Sequence, residues 1–215
     1  MFEIDTDPAI FLYLDSEVSA VKLENTLAHE LHHIGFGGNC PSPAVEREIE
    51  ALPGKVSWVV QRLGAFGEGF AMLAAAGGPS VHPHAVSDAD ERARWDRDMA
   101  AFDRDFHRVR EFLEGSLDGS LAGEERDATF RSFYGEQGPW YTVGWKMAVT
   151  IEQQLGRDAL LQAFCDTREL LPAYNRAARQ ANASLPEPLP LWPEALVGVL
   201  RPSAPPGGRG GRSSG

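Results

Sequence analysis

The chain has 215 residues, of which 43% are hydrophobic, so it can bury one sizeable core. Its formal net charge of −11 argues against a general nucleic-acid or anionic-membrane surface. No apolar run approaches the ~18 residues of a membrane-spanning helix, and the N-terminal residues are acidic where a secretion signal would be basic. The sequence as written therefore predicts a cytoplasmic protein without nucleic-acid or membrane partners, and it leaves the oligomeric state open.

The first predicted elements are a short strand and a helix. Ala9–Leu14 is an apolar run of strand length. The helix that follows is capped by Ser16 or Ser19 and ends at a group of glycines that begins with Gly35. Four residues form its predicted apolar side: Leu23, Leu27, Leu31 and Ile34.

Three further helices are predicted in the middle of the chain. A short one begins at Ser42-Pro43 and runs through Leu52, and a longer one, Val56–Ala76, is closed by Gly-Gly-Pro. From Asp88 to about Glu114 the apolar residues recur every three or four positions, which predicts one long amphipathic helix. We expect its apolar stripe to lie in the core: Trp95, Met99, Phe102, Phe106, Val109 and Leu113.

The last third of the chain is also predicted to be helical. A helical stretch falls near 127–134, the next helix ends at Gly156, and another runs from Arg157 to about Gln180 with an interruption near Pro172. The chain is rich in proline from Ser184 onwards, with room for a short helix at 194–200, and its last residues have the composition of a disordered tail. We therefore divide the chain into 1–183, 184–203 and 204–215.

Two cysteines, Cys40 and Cys165, are present. They match neither a disulfide framework nor a Cys-x-x-Cys site. We therefore expect both to be buried free thiols.

Residues 29–33 read HELHH and contain the pattern HExxH. One helical turn separates His29 from His33, so both imidazoles project from the same face and can bind one Zn²⁺. Glu30 lies beside that position and can accept a proton from a water that the metal has acidified. A surface helix that carries histidines by chance is the alternative, but this helix is substantially apolar, and isolated polar groups there need partners. His32 is left without a role.

A catalytic zinc site normally has three protein ligands and a water, so two histidines do not complete it. Asn39 stands where a metzincin motif, HExxHxxGxxH, has its third histidine. The third ligand is therefore expected on a separate element. The candidates are Glu46, Glu48, Glu50, Glu68, His82 and His84.

Glu68 is the favoured candidate among these. It is the only Asp, Glu, Lys or Arg from Leu63 through Ser87, whereas the three earlier glutamates belong to a charged segment typical of a solvated face. A carboxylate in so apolar a helix is costly unless it meets a cation or a metal. Gly64, Gly67, Gly69 and Ala71 weaken this helix and would also let another helix approach closely. The alternative is a helix-packing motif with one Glu that reaches solvent.

The HELHH helix followed by a separate helix with EGxA, at residues 68–71, resembles the gluzincin branch of zinc metallopeptidases. The runs ENTLAHELHHIG, GEGFAML and GPWYTVGWKMAVTIEQQLGRDAL also resemble a bacterial family of zinc-dependent peptidases that has not been characterised. This resemblance covers about Ile10 to Arg179. It implies His29, His33 and Glu68 as the ligands of Zn²⁺, with Glu30 as the catalytic base.

The same resemblance suggests a role for Tyr141. Gluzincins commonly place a Tyr or His opposite the base, where it stabilises the oxyanion, and a phenol is a suitable donor in a dry site. Tyr141 opens a predicted helix that has Gly144 on the next turn. Tyr134 is a rival for this role, and either residue can instead be a core aromatic.

The sequence departs from zincins in one respect. Zincins generally bind the substrate along the edge of a sheet above the active-site helix. Here at most one strand precedes that helix, and relatives usually have a longer N-terminal portion. The domain at 1–183 is therefore expected either to be truncated at its N-terminus or to have an unusually open cleft.

These observations predict a mainly α, zincin-like metallopeptidase domain. It should contain an active-site helix, a second helix with the glutamate ligand, and at most a small N-terminal strand element. The predicted function is zinc-dependent hydrolysis of a peptide or protein substrate by metal-activated water. The alternatives are a metal-binding relative without turnover and a helical interaction module that binds no metal.

Overall fold

The computed structural model describes residue 10 and residues 18–201. Three predicted features lie outside these residues. They are the tail at 204–215, the alternative cap Ser16 and all of the predicted strand except Ile10. Within the described part the chain is mostly helical and contains no strand, so the mainly α prediction is confirmed. No helix in this part is long and apolar enough to cross a bilayer.

Eleven α-helices occur in the described residues. In chain order they are α1 (Ala20–Gly37), α2 (Pro43–Glu50), α3 (Gly54–Arg62), α4 (Gly67–Ala76), α5 (Ala89–Ala100), α6 (Phe102–Asp118), α7 (Gly123–Ser132), α8 (Pro139–Leu155), α9 (Arg157–Cys165), α10 (Leu170–Asn182) and α11 (Glu194–Leu200).

The predicted helix starts at Ser19, Ser42 and Asp88 are confirmed, and in each the side chain caps the helix. Ser19 Oγ accepts a hydrogen bond from the amide of Lys22, and Ser42 Oγ accepts one from the amide of Val45. Asp88 caps α5 in the same way. Each cap satisfies a backbone donor that the first helical turn leaves without a partner.

Three predicted helices are divided in the structure. A 3₁₀ turn at Leu63–Phe66 separates α3 from α4, next to glycines that weaken a helix. The long helix of the apolar stripe breaks at Ala101 (φ −98°, ψ 13°), although five of the six stripe residues are buried as predicted and only Met99 is half-buried. The third break falls near Asp166 rather than at Pro172. Pro172 lies in the first turn of α10, where no hydrogen bond needs its missing N–H.

The core is organised around α8, which packs against α4, α6, α9 and α10. Its contact with α4 is a backbone-to-backbone approach through two glycines. A Cβ on Gly69 would collide with the backbone of Gly144 and Trp145, and a Cβ on Gly144 would lie 2.6 Å from the carbonyl oxygen of Phe66. The predicted close helix approach is therefore confirmed at Gly69, whereas a Cβ on Gly64 or Gly67 would meet no atom within 4 Å.

Helix α1 lies on the outside of this bundle and packs against α4. None of its residues is buried. Leu31, predicted to be on the apolar side, is 56% exposed, so that assignment is wrong. The apolar residues of α1 outnumber those that α4 can cover, because one neighbouring helix covers only one face.

The prediction of two free thiols is also wrong, because Cys40 and Cys165 form a disulfide. Their Cα atoms are 4.7 Å apart although 125 residues separate them in sequence. The bond joins the segment after α1 to the end of α9. Sequence spacing alone carries no information about such a contact. Disulfides persist mainly in oxidising compartments, so this bond argues against the cytoplasmic location, which stays a prediction.

The proline-rich segment packs into the same core as the helices before it. Trp192 is 1% exposed, and its backbone amide and carbonyl both hydrogen-bond the side chain of Asn175, at 2.9 and 2.8 Å. Leu196 and Leu200 of α11 are buried as well.

Candidate metal centre

Three side chains from α1 and α4 meet in one place. His29 Nε2 and His33 Nε2 are 3.1 Å apart. Glu68 Oε2 lies 3.3 Å from the former and 3.2 Å from the latter. The three atoms therefore form a nearly equilateral triangle.

The size of this triangle fits zinc. Tetrahedral Zn²⁺ with bonds of about 2.0–2.1 Å to nitrogen and oxygen requires ligand atoms that are about 3.3 Å apart. Two imidazoles and one carboxylate are also the donor set of many catalytic zinc sites, in which the fourth position is left to a water. In the part of the chain that the structure describes, these three residues are the group of potential ligands close enough to hold one ion.

Local structure explains why the three side chains meet. The helical turn between His29 and His33 places both rings on the face of α1 that contacts α4. Glu68 directly precedes Gly69, whose close contact with α8 fixes the start of α4. A hydrogen bond of 3.0 Å from the side-chain amide of Asn25 to the carbonyl of Ala75 fastens α1 to the other end of α4.

The electrostatics of the triangle favour a cation. Burial alone would raise the pKa of Glu68, but hydrogen bonds from His29 and His33 lower it to about 2. Burial would lower the pKa of His33, but the hydrogen bond and the charge of Glu68 raise it above its usual value. The carboxylate is thus ionised and only 13% exposed, and it draws positive charge to this position.

A cavity of about 360 Å³ opens next to the triangle, and Glu30 and Tyr141 both line it together with His29. The ring of Tyr141 is stacked on that of His29, with 6.4 Å between centroids and 16° between planes. Burial and the neighbouring Glu68 raise the pKa of Tyr141 far above its usual value, so its hydroxyl keeps its proton. The rival Tyr134 does not line this cavity and packs against Phe130 instead.

The other ligand candidates lie away from the triangle. Glu46, Glu48 and Glu50 are exposed, and Glu48 accepts a 2.8 Å hydrogen bond from Arg168. His82 pairs with Asp96 at 3.0 Å.

His32 has a packing role. Its ring lies 4.5 Å from that of Phe70 and 5.8 Å from that of Phe36, measured between centroids. Burial, assisted by the charges of His33 and His29, lowers the pKa of His32 to about 4. It is therefore a neutral ring among aromatic side chains.

Five polar residues that line the cavity were not predicted from the sequence: Lys22, Asn25, Thr26, Glu136 and Gln137. Lys22, Asn25 and Thr26 lie seven, four and three positions before His29, so helical periodicity would have placed them on the same face of α1. His84, one of the ligand candidates from the sequence, is 2% exposed and forms part of the cavity wall, which no local pattern indicates.

Comparison with known proteins agrees with this chemistry. A family model with the description "putative zinc dependent peptidase" matches residues 1–183 of the chain. No curated protein and no solved structure matches the chain.

Proposed function

The chain belongs to the family whose sequence model matches residues 1–183, and we propose that it hydrolyses peptide bonds with a water activated by Zn²⁺ at His29, His33 and Glu68. One observation carries the proposal. The triangle of ligand atoms has the size that zinc requires, and a candidate base and a candidate oxyanion donor line the adjoining cavity. A cavity of about 360 Å³ is also within the usual range for a small-ligand site.

The metal would supply two effects when bound, namely a lower pKa of a coordinated water and polarisation of the scissile carbonyl. The Glu30 carboxylate accepts the proton of the attacking water and returns it to the leaving amine as general acid. Tyr141, whose hydroxyl remains protonated, donates a hydrogen bond to the carbonyl oxygen as it gains negative charge.

The substrate is proposed to be a peptide or a protein segment. The net charge of −11 favours neutral or basic peptides over acidic ones.

Elemental analysis and a peptide-library digest test this function on protein purified without chelators, with Glu30→Gln as the matched control. The amide is nearly isosteric but cannot accept a proton, so zinc should be retained while turnover falls by about 10²–10⁴-fold. If the wild-type protein binds zinc but hydrolyses no peptide, the result would favour a metal-binding relative without turnover. If it binds no zinc, the result would favour a helical interaction module instead. A variant as active as wild type would remove Glu30 from the role of base.

Tyr141→Phe tests the finer assignment, because it deletes one hydroxyl and little volume. We expect kcat to fall by about 10²-fold with zinc content unchanged. Tyr134→Phe is the control and should leave kcat near wild type. An effect of Tyr134→Phe alone would reverse the two assignments.

A further inference from the structure

The two ends of α1 are held in different ways. Apart from the ligand triangle, the side-chain hydrogen bonds that tie α1 to its neighbours in the described structure come from Lys22 and Asn25, in its first two turns. After His33 the helix ends in three glycines, all of them exposed: Gly35, Gly37 and Gly38. Glycine weakens a helix because it loses more backbone entropy on ordering than other residues do. The end that follows the proposed histidine ligands therefore needs an anchor of another kind.

Aromatic contacts and one covalent bond provide this anchor. The ring of Phe36 lies 5.7 Å from that of Phe70 in α4 and 6.4 Å from that of Phe164 in α9, measured between centroids. The residue after Phe164 is Cys165, which forms the disulfide with Cys40. Helix α9 packs in turn against α8 and α10. The disulfide thus ties the glycine-rich end of α1 to the core, and it is the one of these contacts that a chemical reaction can open.

The disulfide lies beside a cavity that a small thiol can enter. Both cysteines are half-buried, and Cys40 lines a cavity of about 350 Å³ whose walls include α1, α2 and α9. This volume is within the range of small-molecule sites. Glu46 and Glu50, both exposed, line the same cavity. Their negative charge favours the entry of neutral or cationic molecules over anions.

We propose that the Cys40–Cys165 disulfide is a redox switch for the metal centre, opened by a small neutral or cationic thiol. This regulation rests on the proposed zinc function. The thiolate of the reductant attacks one disulfide sulfur, and the other sulfur leaves as a thiolate that takes up a proton. A second thiol of the reductant then displaces the first from the mixed disulfide. The protein gains two electrons and two protons, and the reductant is oxidised to its own disulfide.

Reduction acts on the metal centre through the position of His33. With the bond open, the glycine-rich end of α1 detaches more often from α9, and a smaller share of molecules holds His33 beside His29 and Glu68. The apparent affinity for a ligand falls in proportion to the share of molecules that can bind it. The oxidised protein therefore binds Zn²⁺ more tightly, and reoxidation restores the affinity.

Zinc titrations against a chromophoric chelator test the switch. They compare oxidised wild type, wild type reduced with tris(carboxyethyl)phosphine, and Cys40→Ser combined with Cys165→Ser. We expect the last two to bind Zn²⁺ about 2–10-fold more weakly than oxidised wild type. The double variant should not respond to reductant, and it excludes binding by the freed thiolates, which are themselves zinc ligands. Equal affinities in all three proteins would overturn the switch. Oxidised wild type that binds no zinc would instead contradict the zinc function.

Hydrogen exchange on the metal-free protein follows the helix end directly. Reduction should raise exchange at residues 34–37 more than at residues 24–28, because Lys22 and Asn25 still hold the first turns. An equal change in both parts of α1, or none, would overturn the switch even if the zinc function holds. Loss of protection in α8 to the same extent would also overturn it, since the whole fold would then depend on the bond.

Reduction rates test the cavity as the route of the thiol. Mercaptoethanol is neutral and mercaptopropionate is an anion, and the two are compared at equal thiolate concentration. Glu46→Gln combined with Glu50→Gln should speed reduction by mercaptopropionate about 2–5-fold at low salt and leave mercaptoethanol unchanged. Glu124→Gln combined with Glu125→Gln removes the same charge outside the cavity and serves as control. An unchanged ratio of the two rates would overturn the assignment of the route and of the thiol class.

Discussion

Helices α1 and α8 are of similar length but are held in opposite ways. Ten residues of α8 are buried, whereas α1 has none. Packing alone explains the position of α8, whereas α1 packs on α4 along one face only. Three specific contacts hold it in addition, namely the disulfide just beyond its end, the Asn25 hydrogen bond to α4 and an ion pair of Lys22 with Glu91.

This difference has a consequence for the metal centre. Two of the proposed ligand residues stand on the loosely packed α1, and the third stands on α4, which the Gly69–Gly144 contact fixes to α8. A metal bound by all three residues joins the outer helix to the core. Segments with few buried contacts open at lower free energy than the core, so the metal and the disulfide should matter most for α1.

Removal of the disulfide is the strongest way to break this arrangement. Cys40→Ser combined with Cys165→Ser should lower the free energy of unfolding by about 2–5 kcal/mol, because the bond closes a long loop in the unfolded chain. Denaturant melts measure the loss, and hydrogen exchange should show amides of α1 losing more protection than those of α8. Reductant should destabilise wild type and leave the double variant unchanged. Equal loss of protection in both helices would contradict the comparison.

A pair of matched leucines tests the two environments directly. Leu73 in α4 is fully buried and Leu31 in α1 is 56% exposed. Leu73→Ala should cost about 2–5 kcal/mol of stability through lost burial and a cavity, whereas Leu31→Ala should stay within about 0.5 kcal/mol. Thermal or urea melts of both variants give the difference. A large loss for Leu31→Ala would mean that another part of the molecule covers α1.

Glu68→Ala sharpens the comparison at the metal itself. Zinc affinity should fall by at least ~10–100-fold, which is the loss found when a residue that only hydrogen-bonds a metal ligand is removed. Wild type should be the more stable protein at saturating zinc, because binding to the native state adds to stability. Titrations with Zn²⁺ decide this, and the exposed Glu46→Ala serves as control. Equal affinities for Glu68→Ala and wild type would move the third ligand elsewhere.

Local interactions made much of this structure predictable from sequence. Caps such as Ser42 and Asp88 act within three residues, so the helix starts could be predicted. The separation of His29 and His33 by one turn places both rings on one face whatever the rest of the fold does. Glu68 could be predicted to meet the two histidines because a lone carboxylate in an apolar segment requires a partner.

Contacts between distant parts of the chain were decided only by the tertiary structure. The Cys40–Cys165 bond spans 125 residues, and neither cysteine has a local signal that indicates the other. Exposure of Leu31 depends on how many helices pack around α1, and the spacing of apolar residues within α1 does not indicate that number. The wall around His84 combines residues from α1, the loop before α5 and the turn before α8. Sequence alone therefore determined the helices and which side chains each could present, because hydrogen bonds within one or two turns decide both. The packing of α4 on α8 decided where α1 lies and which of those side chains meet.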